Sequence, residues 1–546
     1  MRLFFTIIFI FLSLTSSLAQ SIENERPKLV VGIIVDQMRY DYLTRFYNKY
    51  SDDGFKRLIR DGFSLENAHF NYIPTYTAPG HASVYTGTTP SNHGIISNNW
   101  YDKFAKKVIY CVDDANYTSV GTAQGGSKSP SRMMTTTISD ELKMAQNQQG
   151  KVISLSIKDR SAVLPGGHTA DGAYWFEGMN EGKFITSSYY REDLPKWVKD
   201  FNNSDKAEKY LNSPWNTLYN IKTYTESIDD NNIFEGLFIG KKTPTFPYDL
   251  SKLKKENGNF ELLKAVPFGN SILTDFTKAA IIGEELGQDN ITDFLAVSFS
   301  STDYVGHQFG PDSKEIEDTY LRLDQDLASF FIFLDEKIGK DNYTLFLTAD
   351  HAVVQVPAYL ETVKVPAGYF DYREFVTYLD TITKKHFNLG ASRLVENFSN
   401  YQLFLNREVL HDQKLNIKDV SEILANELVN HKSIYKTVTA YSLQNTNFDS
   451  GVLHRLQMGY NQKFSGDVLL IPNPSTISRD RTGTTHGSGY NYDTHVPIIF
   501  YGKGIKKGIL KRNVSITDIA PTMSNLLKIS FPNGTTGTVI YEALEE

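Results

Sequence analysis

The chain has 546 residues, 40% of them hydrophobic, and a formal net charge of −7, which is ample apolar content for a large core. Opposite charges are interspersed, with no basic stripe and no long single-sign block, which argues against nucleic acid as a main partner. Length alone suggests several domains, but a single large α/β sheet with insertions also runs this long.

The N-terminus opens on Met1-Arg2 and an apolar run from Leu3 to Leu14, followed by the small residues Ser17 and Ala19. This pattern predicts a secretory signal over 1–19, cleaved after Ala19, and a mature chain over 20–546 that is periplasmic or secreted. The run is short for a membrane span, no cysteine stands near the cleavage site, and no later stretch reads as a crossing. Membrane attachment after cleavage is therefore not expected. Cys111 is the only cysteine, so no internal disulfide can form, and its Tyr110-Cys111-Val112 context predicts a buried thiol.

Leu29–Val35 is a continuous apolar run that reads as a strand buried on both faces, as in parallel sheets. Similar runs recur at 152–157, 294–299, 343–348, 467–471 and 497–501. Helical periodicity alternates with them, most clearly from about Asp312 to Ile338, with Asp312 and Glu315 as candidate start caps and Gly339 as the stop. Alternation of this kind predicts an α/β sandwich: a mostly parallel central sheet flanked by helices. Two stretches, about 175–268 and 358–464, are richer in Asn, Lys, Tyr and Thr and are expected to be insertions that cap the sheet edge and the site mouth.

Polar residues follow the buried strands: Asp36 after the first, Lys158 and Arg160 after the second, Asp303 and His307 after the third, Asp350 and His351 after the fourth. Ligands gather at the carboxyl ends of strands in open α/β sheets, so these distant positions can converge on one site. Asp303 and His307 stand one helical turn apart, Asp350 and His351 are adjacent, and His486 lies in a glycine-flanked loop. Nitrogen and oxygen ligands without thiolates suit zinc, with manganese or another divalent ion as the alternative. Any one such pair alone reads more simply as a salt bridge or helix cap. Thr77, at the entry to a helical stretch, is in isolation an N-cap; with a metal beside it, its hydroxyl becomes a nucleophile.

Thr77-Ala78-Pro79-Gly80-His81, with Thr86-Gly87, Pro90 and His93-Gly94-Ile95, resembles the nucleophile segment of the alkaline phosphatase superfamily, on its nucleotide pyrophosphatase/phosphodiesterase branch. Asp36-Gln37-Met38-Arg39, Ser301 to His307, Ala349-Asp350-His351 and Gly483-Thr484-Thr485-His486 match its metal motifs in order, and Thr517 to Thr522 resembles its closing helix. Asn98 to Asp102 and Ser156 to Arg160 resemble the phosphate-contacting segments of the PafA-type bacterial alkaline phosphatases. The resemblance implies two zinc ions, one held by Asp303, His307 and His486, the other by Asp36, Asp350, His351 and the Thr77 oxygen. It implies further that Asn98, Lys158 and Arg160 contact non-bridging phosphate oxygens. Ala352, where relatives often carry glycine, is the one departure and removes no ligand. His81, His93 and His495 are expected to fix loops or sit in the core.

A paired ammonium and guanidinium favour the dianion of a monoester. The expectation is thus a broad phosphomonoesterase acting on small phosphate esters through a phosphothreonine intermediate, with monomer favoured and a phosphodiesterase or nucleotide pyrophosphatase as the alternative. A sulfatase would need a Cys or Ser nucleophile motif that is missing here, a cytoplasmic phosphosugar mutase conflicts with the export signal, and a metal-stabilised surface protein would be expected to have a broken ligand set.

Overall fold

The computed structural model describes residues 26–545; the signal segment read at 1–19 lies outside the described residues. The predicted α/β sandwich is what the chain forms. Its central sheet is built on β1 (Leu29–Val35), β2 (Phe63–His69), β3 (Val152–Ser156), β4 (Gly172–Glu177), β5 (Lys183–Ser187), β6 (Asp293–Phe299), β7 (Tyr343–Thr348) and β8 (His495–Gly502). The order across the sheet is β2-β8-β7-β1-β6-β3-β4-β5, with a short edge strand at each end. Strands β7, β1, β6, β3 and β4 run parallel, paired in register from Leu29 with Tyr343 on one side and Asp293 on the other. Every residue of β1, β3, β6 and β7 is buried, because helices cover both faces and no alternation of polar residues is needed.

The apolar run at 497–501 does join this sheet, but antiparallel to β7. Its amino end therefore lies at the edge where the parallel strands have their carboxyl ends, which brings the 483–494 loop to the same edge. The run at 467–471, grouped with the central strands by its hydrophobicity, belongs elsewhere. Val468–Pro472 is an inner strand of a separate four-stranded antiparallel sheet with Val395–Ser399, Gln402–Leu405 and Ile434–Thr439. Helices Tyr372–Phe387 and Ile417–Leu428 pack on it around a second core that includes Phe375, Leu403, Leu424 and Val468. An apolar run is equally buried in either sheet, so hydrophobicity alone could not assign it. In the 175–268 stretch, the first residues complete β4 and β5 pairs antiparallel to it, extending the central sheet.

Four helices position the site: α1 (Thr77–Thr86), α2 (Asp159–Gly166), α3 (Ser301–Phe309) and α4 (Lys314–Lys337). The cap of α4 is Ser313, whose hydroxyl oxygen accepts from the Ile316 N–H at 3.2 Å. Asp312, read as the cap from sequence, instead pairs with Arg45 at 2.9 Å, and Glu315 lies buried inside the first turn. Gly339 follows the helix with a φ of 95°, as its stop requires. Cys111 is a fully buried thiol, pushed up in pKa by burial.

Candidate active site

Asp36 follows β1 directly, Lys158 lies two residues past β3, α3 starts two residues past β6, and Asp350 lies two residues past β7. One sheet edge thus collects all of them. Two groups form there, each with ligand atoms mutually within 4.8 Å: Asp303 with His307 and His486, and Asp36 with Asp350 and His351. In the first, His307 Nε2 is 3.1 Å and His486 Nε2 3.6 Å from Asp303 Oδ1. In the second, His351 Nε2 is 3.5 Å from Asp36 and 3.6 Å from Asp350. The His351 and His486 rings stack at 3.4 Å between centroids, so the groups are neighbours.

Each imidazole is oriented by backbone. His307 Nδ1 meets Thr484 O at 2.8 Å, His351 Nδ1 meets Ala352 O at 3.1 Å, and His486 Nδ1 meets Thr75 O at 2.7 Å. A carbonyl only accepts, so each Nδ1 is the donor in its contact and each Nε2 is left directed at the carboxylates. Burial depresses His351 to about 3, and burial with the neighbouring His351 and His307 holds His486 well below the usual range. Burial and the adjacent Asp36 push Asp350 well above the usual carboxyl range. Asp303 goes the other way: burial raises it, but His307 and Lys158 outweigh that and hold it well below 3.8. Asp36 Oδ1 and Asp350 Oδ2 are buried without any hydrogen-bond donor. Imidazole Nε2 atoms facing carboxylates, two of whose oxygens are orphaned, are a donor set that fits divalent cations.

Thr77 is the first residue of α1. Tyr76 occupies the cap position and no side chain caps this helix, so the Thr77 hydroxyl is not used as the N-cap that an isolated threonine suggests. Its Oγ1 lies 3.5 Å from His351 Nε2. Gly80 allows α1 to reach the site: a Cβ there would sit 2.2 Å from Asp350 O. Asn98 Oδ1 accepts from the Ala78 N–H at 2.8 Å, which holds Asn98 against the start of α1. Lys158 Nζ bridges Asp36 at 2.7 Å and Asp303 at 2.6 Å, tying the two groups together. Burial opposes its charge, but Asp303 and Asp36 outweigh that and raise its pKa. Arg160 donates to Tyr110 Oη at 3.1 Å, while its buried Nε has no partner. A cavity of about 330 Å³ opens beside them, lined by Lys158, Arg160, Tyr304, Trp175 and Lys264 among others.

His81, left out of the site by sequence, is buried and binds Thr77 O at 2.9 Å and Ser298 Oγ at 2.8 Å, fixing α1 onto β6. His93 bonds Ser83, and His495 stacks on His69 at the far side of β8. The N–H of Ala352 donates to Asp493 O at 2.9 Å, so the residue that departs from the family pattern is held in place. Gln37 is the residue that sequence reasoning missed. Its Nε2 donates to Asp303 Oδ1 at 2.6 Å and its backbone N–H to Asp350 Oδ1 at 3.1 Å, linking both groups from a φ of 66°.

A helix-start hydroxyl beside one of two neighbouring carboxylate–imidazole groups is the geometry of a metal-assisted hydrolase. Residues 30–495 match the family described as type I phosphodiesterase / nucleotide pyrophosphatase, and the chain belongs to it. It is 45% identical to alkaline phosphatase PafA of Elizabethkingia meningoseptica over 95% of each chain. A Myroides odoratus protein named a calcium-transporting ATPase is 47% identical over 96% of this chain and 95% of its own. The crystal structure of wild-type PafA superposes with a TM-score of 0.91, covering 95% of this chain and 99% of that one at 45% identity.

Proposed function

We propose that the protein is an exported phosphate monoester hydrolase, an alkaline phosphatase that acts on a broad range of organic phosphomonoesters through a phosphothreonine intermediate. The observation that carries this reading is the Thr77 hydroxyl, uncapped at the start of α1 and 3.5 Å from His351 Nε2. The groups Asp303/His307/His486 and Asp36/Asp350/His351 are read as holders of two divalent ions, zinc first, with Thr77 Oγ1 joining the second group. Bound there, such ions would lower the pKa of the Thr77 hydroxyl and neutralise charge on the departing oxygen.

Thr77 attacks phosphorus in line, the phosphorus–oxygen bond to the alcohol breaks, and the alcohol leaves with a proton. Water then cleaves the phosphothreonine and restores the hydroxyl with release of phosphate. Asn98, Lys158 and Arg160 hold the non-bridging oxygens, and the chain mainly positions groups and balances charge. The whole arrangement comes from one chain, and no helix among the described residues is long and apolar enough to cross a membrane.

The family description favours a second reading, a phosphodiesterase. Lys158 and Arg160 argue for the monoester, because a dianion presents more anionic oxygen to a paired ammonium and guanidinium. The test compares p-nitrophenyl phosphate with bis-p-nitrophenyl phosphate on zinc-loaded protein. The monoester is expected to have the higher kcat/KM; a preference for the diester overturns the reading.

A further inference from the structure

We propose that Arg479 is a specificity residue, forming a subsite for a second anionic group on the leaving side of a phosphomonoester. The subsite rests on the monoesterase reading above and leaves the bond that is cleaved unchanged.

An open cleft of about 800 Å³ separates the 478–482 segment from the start of the helix Tyr372–Phe387. Arg479 and Thr482 line one wall, and Tyr369, Asp371 and Arg373 the other. The charges of this cleft are unevenly used. Arg481, just beyond it, pairs with Glu361 at 2.8 Å. Asp371 caps its own helix, accepting from Arg373 N at 2.8 Å and Glu374 N at 3.0 Å. Arg479 and Arg373 have no carboxylate partner within salt-bridge distance among the described residues, and the one hydrogen bond of the Arg479 side chain runs from Nε to Thr482 O at 3.4 Å. Asp480, exposed beside Arg479, is the nearby acid that offsets it in part.

The position of Arg479 links the cleft to the site. A Cβ on Gly483 would stand 3.2 Å from Arg479 Nε and 2.1 Å from His307 O, so the guanidinium lies against the glycine that packs on His307. Burial lowers the Arg479 pKa, and the Asp303 carboxylate, then Asp480, oppose that. Asp303, His307 and His486 form the group that does not include His351, the Thr77 neighbour, and on the monoesterase reading it would receive the leaving oxygen. A second phosphate carried on the departing alcohol emerges on the Arg479 flank, where a guanidinium without a carboxylate partner can take it bidentately.

The experiment compares fructose 1,6-bisphosphate with fructose 6-phosphate and p-nitrophenyl phosphate in zinc-loaded wild type, Arg479→Ala and Arg479→Lys, following phosphate or nitrophenol release. Arg479→Ala is expected to lose about tenfold in kcat/KM on the bisphosphate, carried by KM, while both single-phosphate substrates stay within about twofold. Arg479→Lys, which keeps the charge but not the bidentate fork, should fall between wild type and Arg479→Ala on the bisphosphate, and added salt should shrink the wild-type preference. An equal fall on all three substrates, or no change on any, overturns the proposal. Wild-type protein that turns over none of the three overturns the monoesterase reading itself.

Discussion

Thr77 and Gln37 touch the ligand groups through different atoms, Thr77 at His351 and Gln37 at Asp303 and Asp350, and should fail in different ways. If the Thr77 hydroxyl is the attacking group, Thr77→Ala should lower kcat more than about a thousandfold while zinc content, read by elemental analysis, changes little. A variant that keeps most of its activity refutes the nucleophile assignment. Gln37 touches no substrate; it steadies Asp303 Oδ1 at 2.6 Å. Gln37→Ala should therefore weaken zinc affinity about 10–100-fold, measured by chelator competition, with activity recovered at high zinc. Thr77 was legible because its neighbours carry a recognisable motif. The role of Gln37 was not, although it stands in the matched Asp36-Gln37-Met38-Arg39 segment, since a glutamine after a strand has no chemical signature of its own and its partners exist only in the folded chain. The orienting partners of the three histidines were equally invisible, because Thr484 O, Ala352 O and Thr75 O are backbone atoms that any residue supplies.

At the scale of elements, periodicity found the long helix α4 almost to the residue, yet its cap was misplaced by one position. Asp312 and Ser313 are both good cap residues, and only the folded backbone decides which hydroxyl or carboxylate meets the Ile316 N–H. Ser313 Oγ accepts that bond and also donates to Gly310 O at 2.9 Å, in a site that is 1% exposed. Ser313→Ala should cost about 1–2 kcal/mol in chemical denaturation, since it leaves a buried N–H unsatisfied. Asp312→Ala, which removes a partly exposed pair with Arg45, should cost under about 1 kcal/mol. The reverse ranking would return the cap to Asp312. The strand at 468–472 teaches a related limit. Buried strands of the central and the four-stranded sheets share one hydrophobic pattern, and the partner strand, not the strand itself, determines which sheet it joins.

For the whole molecule, the mostly parallel sheet explains why so much of the site could be read from sequence: its strand ends define one edge, and polar residues at those ends must meet. The same burial that makes the edge legible stores a pH dependence. His81 and His93 are fully buried and belong to neither ligand group, though His81 Nδ1 lies 3.4 Å from Asp350 Oδ2, and burial depresses them to about 4 and about 3. In the unfolded chain each returns to about 6.5. Below that value the unfolded state binds protons that the folded state refuses, so stability is full above about pH 6.5 and falls as pH drops toward the folded values. At pH 5 the loss should be about 2 kcal/mol for each histidine, an order-of-magnitude figure from about 1.4 kcal/mol per pH unit. Urea midpoints of the chelator-treated protein at pH 7.5, 6.5 and 5.5 test this without interference from metal release; the depressed His351 and His486 add to the drop there, so the His93 variant is what isolates one ring. The midpoint should hold between the first two and drop at the third, and His93→Gln, which keeps a side-chain partner for Ser83, should flatten the drop. A midpoint that stays level to pH 5.5 would mean that these rings take up protons in the folded state, and that the burial beneath α1 is looser than its contacts imply.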